Sequence, residues 1–299
     1  QPRKNKYARQ VSNYVRGQNK MGVRGKICIV SGGGRGLGRA MTLALASAGA
    51  TVIAPTFIEE DLRIIEAEGK KIADGAHGNV QALLCDVRKA DECERVIEKT
   101  FDRFGKIDVV INNAGVGMLL ISDTFTSQRT KFWEAPVGPV KAIIETNFIG
   151  PFLMVRSAVP HMIKNGWGRI VNVTTSVHTM QRAGFYPYGP AKAGFEAATR
   201  VWAEDLKGTG VTVNILIPGG AADTNLLPGK VGDQTRSGAD GKLINPNVMA
   251  EPIKWLASEA SNEFNGFRFI GEKWNKKIDP TEAARLVMTP VGFDPKKAI

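Results

Sequence analysis

The chain has 299 residues, 43% of them apolar and 23% charged, with a formal net charge of +11. Ordinary apolar content with charges of both signs excludes global disorder. With no uninterrupted apolar run of about 18 residues, no membrane span is expected, nor is an apolar signal-peptide core.

The first feature along the chain is its basicity. Residues 1–26 carry eight Lys and Arg and no acid, which leaves only about +3 for the rest. The organisation expected is a basic N-terminal arm over 1–25 and a single domain over 26–299. Such an arm fits a solvated tail or an oligomer-wrapping extension. Binding to an anionic surface is the alternative, and nucleic acid is not expected because no recognised binding motif accompanies the charge.

After the arm, short β-branched apolar runs alternate with longer amphipathic segments. Strands are predicted over 26–31, 51–54, 80–84, 108–111, 168–174 and 211–217. Helices are predicted over 36–48, 59–73, 90–104, 139–164 (interrupted) and 188–207. This alternation implies crossover connections and a parallel sheet with helices on both faces. Strands covered on both sides are apolar throughout. Two long connections, Gly117 to Pro139 and Gly219 to Pro246, follow strands and read as functional lids at the carboxyl edge of the sheet, where ligands bind in such folds.

The first strand runs into Ser31-Gly32-Gly33-Gly34-Arg35-Gly36-Leu37-Gly38 and then a helix. Glycines allow a tight turn, and the helix N-terminus offers free N–H groups and a positive dipole to a pyrophosphate. The spacing Gly-x-x-x-Gly-x-Gly departs from the usual Gly-x-Gly-x-x-Gly. The second strand ends in Ala54-Pro55-Thr56-Phe57, without the acid that holds a ribose 2′-hydroxyl in NAD sites. Thr56, Phe57 and Arg35 are therefore expected around the ribose. Arg35 is expected to pair with a 2′-phosphate, so NADP(H) is preferred over NAD(H).

Tyr188 and Lys192 stand four apart at the start of a helix and share one face. A phenol titrates near 10. A neighbouring ammonium, together with an oxidised nicotinamide, is expected to lower that value and make the pair a general acid/base unit.

Taken in order, Gly32-x-x-x-Gly36-x-Gly38, Asp86-Val87, Asn112-Asn113-Ala114-Gly115, Asn147, Thr174-Thr175-Ser176, Tyr188-x-x-x-Lys192 and Pro218-Gly219 resemble the classical short-chain dehydrogenase/reductase family over residues 24–270. The resemblance implies an α/β, doubly wound Rossmann fold with a seven-stranded parallel sheet. It implies that Asp86 and Val87 meet the adenine, and that Asn113, Ala114 and Gly115 line the cofactor. Lys192 would hold the nicotinamide ribose, and Asn147 a proton-relaying water chain. The segment after Pro218-Gly219, with Ala221 and Thr224, would face the carboxamide. The implied reaction moves a hydride between the nicotinamide and a small-molecule ketone or secondary alcohol, with Tyr188 exchanging the proton. The implied assembly is a homodimer or homotetramer.

The chain departs from the family pattern in places. Without gaps, the catalytic serine aligns with Thr175, and Ser176 follows one residue later; adjacent strand residues face opposite ways, so one of the two is expected to orient the substrate. The loop between Gly115 and Asn147 is longer than usual. His178 and Tyr186 are possible pocket residues. Phe132 and Trp133 either cap an apolar substrate or pin the inserted loop. Phe264, Phe267, Phe269 and Trp274 are read as packing or subunit contacts. The three histidines and three cysteines lack metal-ligand spacing, so no metal is expected. Cys28 and Cys85 sit in apolar runs and read as small buried residues, and the odd count of three with Cys93 implies a reducing, cytoplasmic compartment rather than a disulfide framework. The competing function is a non-catalytic nicotinamide-binding redox sensor.

Overall fold

The structure is a computed structural model that describes residues 22–76, 78–238 and 241–292. Residues 1–21 of the expected arm lie outside the described residues. Residues 22–25 pack onto the body: Val23 is fully buried, and Gly25 N donates to Gly49 O at 3.0 Å.

In chain order the Rossmann core runs β1 (Ile27–Val30), α1 (Gly36–Ser47), β2 (Thr51–Thr56), α2 (Glu59–Ala76), β3 (Asn79–Leu84), α3 (Ala90–Phe104) and β4 (Val109–Asn112). It continues with α4 (Val137–Ile144), a π-turn (Glu145–Ile149), α5 (Gly150–Lys164), β5 (Gly168–Val173), α6 (Val177–Met180), α7 (Tyr188–Asp205) and β6 (Val211–Ile217). A small hairpin, β7 (Ser237–Gly238) and β8 (Gly241–Lys242), precedes α8 (Ala250–Leu256), β9 (Phe267–Ile270), α9 (Pro280–Val287) and β10 (Thr289–Pro290).

The sheet order is β10-β9-β6-β5-β4-β1-β2-β3. Seven strands are parallel, as expected, and the two-residue β10 adds an eighth, antiparallel edge strand beside β9. The seventh parallel strand is Phe267–Ile270, so Phe267 and Phe269 belong to the sheet itself. Phe264, Phe269 and Trp274 surround Trp255, with ring centroids 4.9, 5.4 and 5.8 Å away.

Strand side chains alternate between two layers. Cys28, Val30, Val109, Ile111, Val171 and Val173 face the layer of α1, α8 and α9, where Met41, Leu45, Trp255 and Ala284 are buried. Ile29, Val110 and Ile170 face the layer of α3, α5 and α7, with Val96, Ile97, Met154, Ala158 and Ala203. This two-sided burial is why the strands read as continuous apolar runs. The three cysteines are free and buried, and burial pushes the Cys28 thiol up.

The stretch Val137–Lys164 is the one described helix long and apolar enough to cross a membrane by length and mean hydropathy. The π-turn interrupts it, and Met154, Ala158 and Met162 are packed in the core.

Candidate active site

The β1–α1 turn is shaped by glycine. Gly36 has φ +53°, a left-handed conformation that costs glycine nothing. A Cβ on Gly38 would lie 2.1 Å from Gly32 O, so helix and turn can approach this closely only with glycine there. The N-cap residue of α1, Arg35, supplies no side-chain cap hydrogen bond, and the first turn carries no acid. The uncapped N–H groups therefore suit a pyrophosphate. Leu37 turns its side chain into the core instead.

The turn is braced from β4. Asn113 Nδ2 donates to Ser31 O and Gly32 O at 3.0 and 3.2 Å, and Asn113 N and Ala114 N both donate to Ser31 Oγ at 3.1 Å. Asn113 thus shapes the cradle through its side chain. Ser31 is a bracing residue that the motif reading passed over.

On the ribose side, Thr56 is buried and Phe57 exposed, with the Arg88 guanidinium 5.7 Å from the Phe57 ring. Arg35 is not an unopposed cation. Its Nε pairs with Asp61, which reaches back from the first turn of α2 although the strand end itself is free of acid. Asp86 accepts from Arg88 Nη2 at 2.6 Å, and that bond holds its carboxyl below the usual carboxylate range. Val87 is buried and meets Gly150, where a Cβ would come within 2.9 Å of it.

The catalytic candidates converge at the carboxyl ends of β4 and β5. Tyr188 opens α7, half-buried, and hydrogen-bonds Thr175 through their side chains. Lys192, one turn on and 4% exposed, donates from Nζ to Val173 O at 2.9 Å, which pins it to the strand that presents Thr175. Asn147 is fully buried in the π-turn, a local irregularity often found at functional sites. Its Oδ1 accepts from Val116 N at 3.0 Å, and its Nδ2 donates to Val116 O at 2.8 Å. A Cβ on Gly115 would lie 3.0 Å from Asn147 Oδ1 and 3.8 Å from Lys192 Nζ, so these three groups border one small space. Beneath it, Thr174 Oγ1 donates to Glu196 at 2.7 Å, and Glu196 pairs with Arg268, which ties α7 to β5 and β9.

Ser176 points elsewhere. Its Oγ is the N-cap of α6, accepting from Thr179 N at 3.1 Å and meeting Thr179 Oγ1 at 3.0 Å. Of the two neighbouring hydroxyls, Thr175 is the one that meets Tyr188.

The titration expected from the sequence differs in the protein alone. Burial pushes the Tyr188 phenol up to about 12, with the Thr175 hydrogen bond acting against it. Burial also brings Lys192 down to about 8. Desolvation disfavours both charged forms and here outweighs the attraction expected between ammonium and phenolate.

The two long loops close over this edge. Phe125 is buried and meets the Phe185 ring edge-on at 5.9 Å. Phe132 and Trp133 do not pin the loop; they are 65% and 68% exposed, and Phe132 leans on Tyr186 at 6.2 Å. A cavity of about 470 Å³ is lined by Phe125, Arg129, His178, Arg182 and Phe185, among others, from the first loop and from the segment that precedes Tyr188. In the second loop Thr224 lies over Gly36, 3.0 Å from where a Cβ there would be. Arg236 organises that loop: it pairs with Asp223 and donates to Thr224 O, Leu227 O and Pro228 O at 2.8 to 2.9 Å. Ala221 O accepts from Ile244 N at 2.9 Å at the loop's base, and Pro218 O accepts from Glu272 N at 2.9 Å just before Gly219.

Comparison with known proteins fits this geometry. The short chain dehydrogenase family matches residues 26–234. A 3-oxoacyl-(acyl-carrier-protein) reductase FabG of Thermotoga maritima is 34% identical over 251 residues, covering 82% of this chain and 96% of that protein. L-fucose dehydrogenase of Bos taurus is 29% identical over 254 residues, 81% of this chain and 87% of that protein. Among solved structures, a dehydrogenase/reductase from Sinorhizobium meliloti superposes with a TM-score of 0.68 at 29% identity, over 82% of this chain and 93% of the other. A metagenomic short-chain oxidoreductase in complex with NADP gives a TM-score of 0.67 at 25% identity, over 83% of this chain and 97% of the other.

Proposed function

We propose, from the premise that the chain belongs to the short chain dehydrogenase family and is a nicotinamide-dependent oxidoreductase of alcohol and carbonyl groups, that Tyr188 exchanges the proton in the interconversion of a ketone and a secondary alcohol. The observation that carries this reading is the Tyr188–Thr175 hydrogen bond one helical turn from the buried Lys192.

When bound, the nicotinamide supplies or accepts the hydride. In the reducing direction the Tyr188 hydroxyl gives its proton to the substrate oxygen as the carbonyl carbon gains the hydride. Thr175 holds that oxygen in line, and Lys192 places a positive charge beside the phenolate left behind, where a water-poor site makes it effective. Asn147 fixes the loop after β4, and so Gly115, against this space. Through Val116 it supports the nicotinamide end of the site.

Gly32, Gly34, Gly36 and Gly38 with the α1 N-terminus would hold the pyrophosphate. Asp86 and Val87 would border the adenine, and Ala114, Gly115, Pro218, Gly219, Ala221 and Thr224 the nicotinamide half. Arg35 would meet the 2′-phosphate of NADP(H), which we take as preferred over NAD(H); a relative of known structure carries NADP. The cavity between the first loop and the segment that precedes Tyr188 would take the substrate. A homodimer or homotetramer and a reducing, cytoplasmic compartment suit the family reading and the three buried thiols.

The test is a panel of ketones and secondary alcohols assayed with both reduced and both oxidised cofactors, following absorbance of the reduced ring. Turnover of at least one carbonyl–alcohol pair, faster with NADP(H), is expected. Cofactor binding without turnover of any member would favour a redox sensor and overturn the reading.

A further inference from the structure

Arg35 and Asp61 carry a further inference, which rests on the cofactor reading above. Arg35 ends the turn between β1 and α1, and Asp61 lies in the first turn of α2, directly after β2. β1 and β2 are parallel neighbours, so the Arg35–Asp61 ion pair bridges the two strand-to-helix turns at the carboxyl edge. In a doubly wound sheet the adenosine ribose of a dinucleotide lies there; an acid suits a free 2′-hydroxyl and an arginine a 2′-phosphate. This chain has both groups, and they are bonded to each other.

Asp61 has little freedom to withdraw. It is 7% exposed and packed on the glycine turn, where a Cβ on Gly34 would lie 2.7 Å from the Asp61 Cβ. A guanidinium has five donors and can hold a carboxylate and a phosphate together, but those two anions then repel one another. Glu59 and Glu60, exposed in the same helical turn, add charge of the same sign. A ribose with a free 2′-hydroxyl meets no such repulsion.

We propose that Asp61 is a specificity-determining residue for the cofactor: it pairs with the arginine that a 2′-phosphate needs and stays beside that phosphate, so it weakens NADP(H) binding and leaves NAD(H) binding nearly untouched. The preference for NADP(H) is thereby narrowed, and the chain accepts both cofactors.

The test compares the full chain with its Asp61→Asn variant, which keeps the shape and a hydrogen-bond acceptor but removes the charge. Binding of 2′,5′-ADP and 5′-AMP, which differ by the 2′-phosphate, is measured by calorimetry, and binding of NADPH and NADH by fluorescence. The variant is expected to bind 2′,5′-ADP and NADPH about tenfold tighter, ~1.4 kcal/mol, with 5′-AMP and NADH within about twofold. Equal shifts for both members of a pair, no shift, or loss of affinity for the phosphorylated member would overturn the proposal. Asp61→Ser, checked by circular dichroism, takes the same measurement if Asp61→Asn does not fold. Wild-type protein that binds neither NADPH nor NADH would overturn the cofactor reading itself, whereas binding of both with a ratio unaltered by the substitution removes only the role of Asp61.

Discussion

Thr175 hydrogen-bonds Tyr188 from the end of β5, while the hydroxyl of the next residue, Ser176, is committed to capping α6. The division of labour between two adjacent hydroxyls follows from the strand end: successive side chains diverge, and the second is captured by the backbone of the helix that starts there.

Parallel substitutions separate the two roles. Thr175→Ala is expected to lower kcat by about a hundredfold, the scale seen when one preorganised donor is lost from a reaction centre. Ser176→Ala is expected to lower unfolding stability by about 1 kcal/mol through loss of the cap, with kcat changed only a few-fold. Steady-state kinetics and denaturant melts check both. A larger kcat loss in Ser176→Ala than in Thr175→Ala would reverse the assignment.

Lys192 makes a pH prediction. Its folded pKa of about 8 lies below its ordinary 10.5 because the ammonium is buried. Below pH 8 both folded and unfolded chains hold the proton, and the native state bears the full cost of a buried charge. Between about pH 8 and 10.5 the unfolded chain binds more protons than the native one, so this residue's contribution to stability improves as pH rises. Measured by urea unfolding, wild type is expected to gain on Lys192→Met by about 3 kcal/mol between pH 7 and 10.5. A difference independent of pH would contradict the burial argument. Turnover that relies on the ammonium is expected to decline above pH 8.

Arg236 makes a prediction about the second loop. Its buried guanidinium holds Asp223 and three backbone carbonyls of the segment that carries Thr224 over Gly36. Arg236→Ala is expected to open that segment locally, as loops with few apolar contacts do. Limited proteolysis should then cut within 219–246 several-fold faster, and KM for the cofactor should rise about tenfold with little change in Tm. Unchanged cleavage and KM would show that the loop holds without it.

Much of this was legible because local rules and global architecture agree. Strands buried on both faces announce themselves as Ile27–Val30 or Val211–Ile217, and α3 matches its amphipathic pattern over Ala90–Phe104. The glycine turn and the Tyr188/Lys192 spacing were readable because each depends on neighbours in sequence. What was not legible depends on distant partners. Phe267–Ile270 did not read as a strand because it is short and interrupted by Arg268, whose charge is neutralised by Glu196, 72 residues earlier. Asp61 reaches Arg35 across 26 residues, so the residues of the strand end do not reveal the acid that meets the arginine there. The capping role of Ser176 required a four-residue helix too short to show a period. The raised Tyr188 phenol of the protein alone depends on burial, which a sequence does not show, whereas the lowering expected for it includes an oxidised nicotinamide.

The most direct test of the central claim is kcat of Tyr188→Phe beside its NADPH affinity by fluorescence titration. A fall in kcat of at least about a thousandfold, on the scale of lost acid–base catalysis, with NADPH affinity within a few-fold of wild type, is the result predicted. Turnover within about tenfold of wild type would contradict the assignment of the proton to this phenol.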